Sequence, residues 1–321
     1  DICRSYVGRD TRIVYLRQEN RGVSAARNQG LKAAKSVYVM FVDADDTISD
    51  CLCEKLLNRM EASPAAQSGE MAAGRMCTRP AADREIGIIG TTGYVDLVFC
   101  GFLRQFYQDD ELKRLDLVRP ECSDIENNQT LGAVFGRLYE TTLLTSVWGK
   151  LYRKNKIDQM PFWFHADLEL GEDVLFNLEY LKRCQRIAVV DETLYIYNQY
   201  GRRNSLTRKP SGERIQISGR LLGAAEDFAK GKGIYNQVKE RLWKVYLKDC
   251  MNYLEQFSFK ERLGKAEKVF RLEDLRRILS EKVRWKRDTL VYRICLGSGS
   301  RILVSMFAQM RKVAKRVTRG K

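Results

Sequence analysis

VMFVDADD, residues 39–46, takes the chain from four apolar residues directly into three carboxylates. A short apolar run that ends at polar residues predicts a buried strand. The carboxylates allow two interpretations. Aspartate is a common turn and helix N-cap residue, so the segment could simply introduce the next helix. Alternatively, Asp43 and Asp45 repel each other unless a hard divalent cation lies between them, and Asp46 is then either a third ligand or a cap.

The elements around this segment alternate. The hydrophobic pattern predicts a strand at 12–16, a helix at 23–34, a strand at 37–42 and a helix at 51–60. Strands that alternate with helices indicate a parallel sheet covered by helices. Ligands of such sheets bind at the carboxyl ends of the strands, and Asp43 follows directly on such an end.

Beyond this unit the pattern changes twice. Residues 61–92 are rich in Ala, Gly, Ser and Thr without a sustained period, which predicts a surface insertion or mobile loop. A strand is predicted at 94–102, and helical patterns dominate after residue 211, at 215–228 and 235–257. We therefore expect an α/β domain over 1–210 and a helical C-terminal region over 211–321.

Composition limits the class of protein. The chain has 321 residues, of which 44% are hydrophobic, so it can bury a core. Its net charge of +15 favours polyanionic partners such as nucleic acid, anionic lipid or phosphate-bearing substrates. Nine scattered cysteines with no CxxC pair, and a single histidine, argue against a zinc site and for reduced thiols. No apolar run is long enough to cross a bilayer, so we expect a cytoplasmic protein, in contact with the inner face of the membrane at most.

Four further segments occur in a characteristic order: NRGVSAARNQGL at 20–31, VWGKLY at 147–152, GEDVLF at 171–176 and YNQYGRRNSLT at 197–207. Together with DADD they resemble the glycosyltransferases of family 2. The resemblance implies the GT-A fold, a Rossmann-like, mostly parallel sheet with helices on both faces. It also implies transfer of a sugar, with inversion, from a nucleotide-sugar, expected to be a UDP-sugar, to a hydroxyl of a glycan or lipid-linked acceptor in polysaccharide, glycolipid or cell-wall polymer synthesis.

The resemblance also implies a role for individual residues. Asp173 would be the general base, beside Glu172, and Asp45 with Asp43 would bind Mn²⁺ or Mg²⁺. The expected donor-binding residues are Arg27, Asn28, Asp43, Arg202 and Arg203, and the expected acceptor-binding residues are Trp148 and His165.

Each assignment has a plainer alternative. Acids in the first turn of a helix favour its dipole, which would explain Glu172 and Asp173 without catalysis. Arg27 could be a surface arginine paired with an acid, Arg202 and Arg203 a solvated turn, and Trp148 and His165 structural residues.

Two expectations concern the ends of the chain. The resemblance starts inside the family's domain, so we expect the GT-A domain to be incomplete at its N-terminus, which leaves an inactive truncated enzyme as an alternative. Residues 301–317 form a basic amphipathic pattern with Leu303, Met306, Phe307, Met310, Val313, Ala314 and Val317 on one stripe. This helix is suited either to an anionic membrane surface or to packing on the catalytic domain with its basic side solvated.

A second class of function is a non-catalytic basic protein that binds membrane or nucleic acid. RNA-binding proteins usually interleave aromatic and basic residues on a sheet or carry a module motif, and neither pattern is visible here. We therefore expect no nucleic-acid partner.

Overall fold

The computed structural model describes residues 2–62, 94–168, 170–200, 213–283 and 285–319. The helices in these ranges are α1 Ile2–Val7, α2 Gly22–Ala33, α3 Leu52–Glu61, α4 Asn128–Glu140, α5 Lys154–Asp158, α6 Glu172–Leu181, α7 Glu213–Gly231, α8 Tyr235–Glu255, α9 Phe259–Phe270, α10 Glu273–Ser280, α11 Arg287–Gly297 and α12 Arg301–Arg319. The strands are β1 Tyr38–Val39, β2 Thr47–Ile48, β3 Leu97–Gln108, β4 Glu111–Val118, β5 Lys150–Arg153 and β6 Ile187–Tyr200.

The described strands form one sheet in the order β1-β5-β3-β6-β2, with β4 paired to β3 outside this path. The predicted α/β fold and helical C-terminal region are confirmed, but the sheet is mixed rather than mostly parallel. Only β3 and β6 pair in parallel among the named strands, and the other pairings are antiparallel. One cause is local: Asp109 and Asp110, between β3 and β4, both have positive φ, a turn geometry that joins antiparallel strands.

The individual elements agree with the hydrophobic pattern to different degrees. The helices predicted at 23–34 and 51–60 are α2 and α3, and the strand predicted at 94–102 is the first half of the longer β3. The strand predicted at 12–16 is wrong, because these residues pair with no described strand and Val14 is 72% exposed. The predicted insertion lies outside the described residues from position 63 onward.

A continuous core runs from the sheet into the C-terminal helices. The buried hydrophobic residues form one connected cluster, which includes Leu31 on α2 and Ala308 on α12. The helical region contacts α4, where Phe135 meets Phe228 of α7 with ring centroids 5.0 Å apart. The predicted boundary near residue 210 falls in 201–212, which the structure does not describe, and the two-domain division stays a prediction.

Candidate active site

Arg27 joins three of the sequence segments singled out above. Its Nη2 donates to Asp43 Oδ1 at 2.9 Å and its Nη1 donates to Glu172 Oε1 at 2.8 Å. The guanidinium also lies 5.4 Å from the ring centroid of Phe164. Burial alone would lower the pKa of Arg27, but its two carboxylate partners raise it above the ordinary value. Arg27 is therefore an enclosed bridge between α2, the DADD segment and α6, and not a solvated surface residue.

The apolar half of VMFVDADD positions this bridge. Phe41 packs edge-on against Phe164 and Phe176, whose rings are themselves stacked with centroids 4.3 Å apart. Phe41 also forms an isolated parallel bridge with Trp148. The buried strand predicted at 37–42 is only partly present, because β1 is limited to Tyr38–Val39 and Val37 and Val42 are exposed. The half-buried Phe41 nevertheless brings the carboxylates that follow it to the start of α6.

Asn28 fixes the loop that covers Arg27. Its Nδ2 donates to Phe164 O at 2.8 Å, and Phe164 N donates to Asn28 Oδ1 at 3.0 Å. The side-chain amide therefore holds the backbone of residue 164. A contribution of Asn28 to donor binding stays a prediction.

Asp46 is anchored to β6 and does not cap α3. Tyr195 OH donates to Asp46 Oδ2 at 2.6 Å, and Asn198 N donates to Asp46 Oδ1 at 2.9 Å. Burial is the main cause that raises the pKa of Asp46 to about 6; the two hydrogen bonds oppose this rise, and the charges of Asp45 and Asp43 add to it. Neither Tyr195 nor Asn198 was singled out from the sequence.

Asp45 is exposed at the tip of the segment. Asn198 Nδ2 donates to its backbone oxygen at 2.9 Å, whereas no hydrogen bond to its carboxylate is recorded among the described residues. Within the described ranges no three His, Cys, Asp or Glu residues converge in a way that could enclose a metal ion. An ion that keeps water and takes phosphate oxygens needs only one or two protein carboxylates, so metal binding by Asp45 with Asp43 stays a prediction.

Glu172 and Asp173 open α6 after Gly171, which has φ +83°. Glu172 is nearly buried and paired with Arg27, whereas the Asp173 carboxylate accepts only from backbone N–H groups among the described contacts, with Val174 N 2.8 Å from its Oδ1. Burial, followed by the neighbouring charge of Glu172, raises the pKa of Asp173 to about 7. A carboxylate with this pKa can accept and release a proton near neutral pH.

Trp148 lies next to Tyr195, the residue that holds Asp46. Its ring stacks on Tyr195 with centroids 4.6 Å apart and meets Phe102 edge-on at 4.8 Å. Because Trp148 is only 8% exposed, it has a packing role beneath the Asp46–Tyr195 pair. Its contact with an acceptor stays a prediction.

No contact of His165 with Arg27, Asp43 or Glu172 is found among the described residues. Its ring lies against Phe162 with centroids 4.3 Å apart, and its Nδ1 is 3.7 Å from Asp167 Oδ1. Arg202 and Arg203 lie outside the described residues, so their role in donor binding stays a prediction.

Comparisons with known proteins show which families and folds the chain resembles. Residues 1–89 match the family model "Glycosyl transferase family 2". "Uncharacterized glycosyltransferase EpsJ" of Bacillus subtilis (strain 168) is 30% identical over 212 residues, which cover 65% of this chain and 51% of EpsJ. "Minor teichoic acid biosynthesis protein GgaB" of the same strain is 45% identical over 58 residues, 18% of this chain and 6% of GgaB. The chain thus spans about half the length of EpsJ and a small part of GgaB.

A solved structure shows the fold. The crystal structure of S. aureus TarS 1-349 superimposes with a TM-score of 0.50 at 13% identity, covering 96% of this chain and 79% of that chain. This likeness confirms the predicted GT-A fold class. The similarity to glycosyltransferase family 2 therefore covers residues 1–89, and the similarity to EpsJ extends over 212 residues.

Proposed function

We propose that the chain is an inverting, nucleotide-sugar-dependent glycosyltransferase that moves a sugar to a hydroxyl of a glycan or lipid-linked acceptor. The observation that carries this proposal is the Arg27 bridge. It joins Asp43 and Glu172, residues from two distant segments, and holds them next to Asp173. Three segments that resemble family 2 motifs therefore meet in one place.

Asp173 is the residue that we propose as general base. A base that takes the proton from an acceptor hydroxyl works best when its pKa lies near the ambient pH, and the pKa of Asp173 is about 7. The base acts only when deprotonated, so the transfer rate should rise as the pH passes through this value. One base and one displacement at the anomeric carbon produce inversion.

Asp43 and Asp45 suit the donor end of the reaction. A bound Mn²⁺ or Mg²⁺ would neutralise the charge of the departing diphosphate, and the exposed Asp45 carboxylate together with Asp43 would hold it. The charges of both residues add to the raised pKa of Asp46, which indicates an excess of negative potential at this point. The expected donor is a UDP-sugar.

The proposed acceptor is inferred from a relative, and the proposed compartment is inferred from the cysteines. The printed name of GgaB refers to teichoic acid biosynthesis, which supports a cell-wall polymer, polysaccharide or glycolipid as the product. The eight cysteines in the described part of the chain are all free thiols. Free thiols are typical of the cytoplasm, where we propose that the transfer takes place.

Donor turnover tests the proposal. The chain, incubated with Mn²⁺ and each of UDP-glucose, UDP-galactose and UDP-N-acetylglucosamine, should release UDP from at least one donor, with water or an added glycan as acceptor. Asp173→Asn should lower the rate by about 100-fold or more, because the base is removed. Asp158→Asn alters an exposed acid on α5 and should leave the rate unchanged.

Binding of UDP separates the site from the chemistry. The Asp173→Asn variant should still bind UDP and Mn²⁺ with wild-type affinity, which shows that the fold and donor site are intact. Undiminished turnover in this variant would exclude Asp173 as the base, and absence of both turnover and UDP binding in the wild type would contradict the proposed function.

A further inference from the structure

Helix α12 packs on the protein through the side that bears Val304, Ser305 and Ala308, and not through its predicted apolar stripe. Val304, Ser305 and Ala308 are fully buried, whereas the predicted apolar stripe remains largely exposed. The exposed apolar side chains of α12, with their exposed fractions, are Ile302 60%, Leu303 41%, Met306 53%, Met310 67% and Val313 48%. Each sequence alternative describes only part of this arrangement, because the helix packs on the domain while most of its apolar stripe stays exposed.

The contacts of the packed side explain this orientation. The buried Arg262 of α9 donates from Nη1 to Ser305 O at 2.8 Å. Glu255 at the end of α8 pairs with Arg311 at 3.1 Å and with Lys315 at 2.5 Å. Two basic residues that the sequence suggested would face solvent are thus drawn inward by a nearly buried acid. The apolar stripe is turned outward as a consequence.

The neighbouring helix extends the exposed apolar surface. Val291 and Ile294 of α11 are 43% and 57% exposed. The two helices touch through Tyr292 and Phe307, whose ring centroids are 6.2 Å apart. We refer to Val291, Ile294, Ile302, Leu303, Met306, Met310 and Val313 as the apolar face. A group of this size on adjacent helices is typical of a binding surface rather than of scattered exposed residues.

The net charge of the chain segment that bears the apolar face indicates an anionic partner. Residues 282–321 contain twelve basic residues and one acid, Asp288, a net +11 of the +15 carried by the whole chain. The acid is already bound by Lys244 of α8 at 2.5 Å. On α12, Arg311 and Lys315 are taken up by Glu255 and Arg301 lies 3.5 Å from Glu267, whereas on α11 Arg287 lies four residues before Val291 of the apolar face. Two copies of the chain would bring two strongly positive segments together, which disfavours self-association through this surface.

We propose that the apolar face docks on the surface of an anionic lipid bilayer. Helices with an apolar side and basic flanks lie in the membrane interface with their apolar side chains about 5–10 Å deep, while basic residues face the lipid phosphates. Among the described residues no helix is long and apolar enough to cross a bilayer. This inference does not depend on the proposed sugar transfer, and its test contains no sugar donor.

Co-sedimentation with vesicles tests the proposal on the full chain. The wild type should bind vesicles that contain about one-third phosphatidylglycerol and should bind pure phosphatidylcholine at least tenfold more weakly. Raising the salt from about 0.1 M to about 0.5 M should weaken binding to the anionic vesicles. The double variant Met306→Asp with Met310→Asp should bind them at least tenfold more weakly than the wild type.

A matched control distinguishes this surface from exposed apolar residues in general. Leu115 and Leu117 on β4 are 53% and 57% exposed, so Leu115→Asp with Leu117→Asp introduces the same charges at similarly exposed positions. This control should bind vesicles like the wild type, and thermal unfolding should show that both variants remain folded.

Three outcomes would overturn the proposal. The first is equal vesicle binding by the wild type and the α12 variant. The second is equal binding of the wild type to anionic and zwitterionic vesicles. The third is a wild-type dimer in sedimentation velocity that the α12 variant converts to monomer, which would make the apolar face an interface between copies of the chain.

Discussion

The start of α6 and the junction of α7, α8 and α10 each enclose a carboxylate, and they treat it in opposite ways. Glu226 at the junction is nearly buried, accepts from Trp243 Nε1 at 2.8 Å and pairs with Arg277 at 3.0 Å. The Asp173 carboxylate is half-buried, accepts only from backbone N–H groups among the described contacts, and lies beside the charge of Glu172. An acid that the fold leaves without a side-chain donor is the better candidate for a functional position than one that is fully paired.

A raised pKa alone would not make this distinction. Burial also raises the pKa of Asp249 on α8, although Ser218 Oγ donates to its carboxylate at 2.6 Å. Asp173 differs because it adjoins the Arg27 bridge and the DADD carboxylates. The comparison is therefore informative only when the pKa and the surrounding residues are considered together.

The largest effect is expected at the fully paired acid. Glu226→Leu leaves Trp243 Nε1 without its acceptor and Arg277 with Asp274 as its remaining partner, and should lower the free energy of unfolding by about 3 kcal/mol. Chemical denaturation measures this change. Asp227→Asn, at an 80% exposed neighbour, is the control and should leave the unfolding midpoint unchanged. If both variants were equally stable, the pairing of Glu226 would have no structural value.

At Asp173, in contrast to Glu226, we expect the ionised carboxylate to lower the free energy of unfolding. Its pKa is raised in the folded state, so the folded protein binds the proton more tightly than the unfolded chain, and stability is lost as the pH rises toward about 7. Asp173→Asn removes this dependence. Between about pH 5 and about pH 8 the wild type should lose about 2 kcal/mol of unfolding free energy relative to the variant. A difference that did not vary with pH would show that Asp173 titrates normally.

Tyr195 should give a smaller effect at the edge of the site. Tyr195→Phe removes the donor to Asp46, so the pKa of Asp46 should rise above about 6 and the unfolding free energy should fall by about 1 kcal/mol. Carboxyl chemical shifts followed through a pH titration measure the first change, and urea unfolding measures the second. Tyr107→Phe removes a bond to Gln105 on β3 and should not affect Asp46.

The smallest effect is expected at an exposed ion pair. Lys55 on α3 and Glu192 on β6 are 2.5 Å apart and are 38% and 51% exposed. Water screens such pairs, so replacing both residues by alanine should change Tm by less than about 1 °C. A larger shift would mean that exposed pairs matter as much as the buried Glu226 pair does.

The local elements were largely predictable from the sequence. The periodic apolar residues of α2 and α3 specify helices without knowledge of the rest of the chain. Strand direction was not predictable in this way, because it depends on the turn at Asp109 and Asp110 and on partners that are distant in sequence. The failure at 12–16 has a similar cause, since a strand requires a neighbour as well as suitable residues.

The candidate site was predictable where motifs mark it. Arg27, Asp43 and Glu172 belong to recognisable segments, and the structure brings them within hydrogen-bond distance. Tyr195 was missed because it belongs to an ordinary alternating strand, where only the neighbouring segment gives a side chain its role. Asn198 lies in the quoted segment 197–207, but the pattern gave no reason to expect its contact with Asp46. The inward turn of Arg311 was missed for the same reason, because the sequence of α12 does not show Glu255.

Gly171 has a consequence for how such proteins can be recombined. A Cβ at this position would lie 2.7 Å from Leu221 Cδ1 of α7, and its φ of +83° already disfavours other residues. The first turn of α6, which bears Asp173, therefore packs closely against α7 of the C-terminal helical region. A chimera that took the C-terminal helices from a related chain would also have to take the residues around position 171 from that chain, because the two packing surfaces must fit each other.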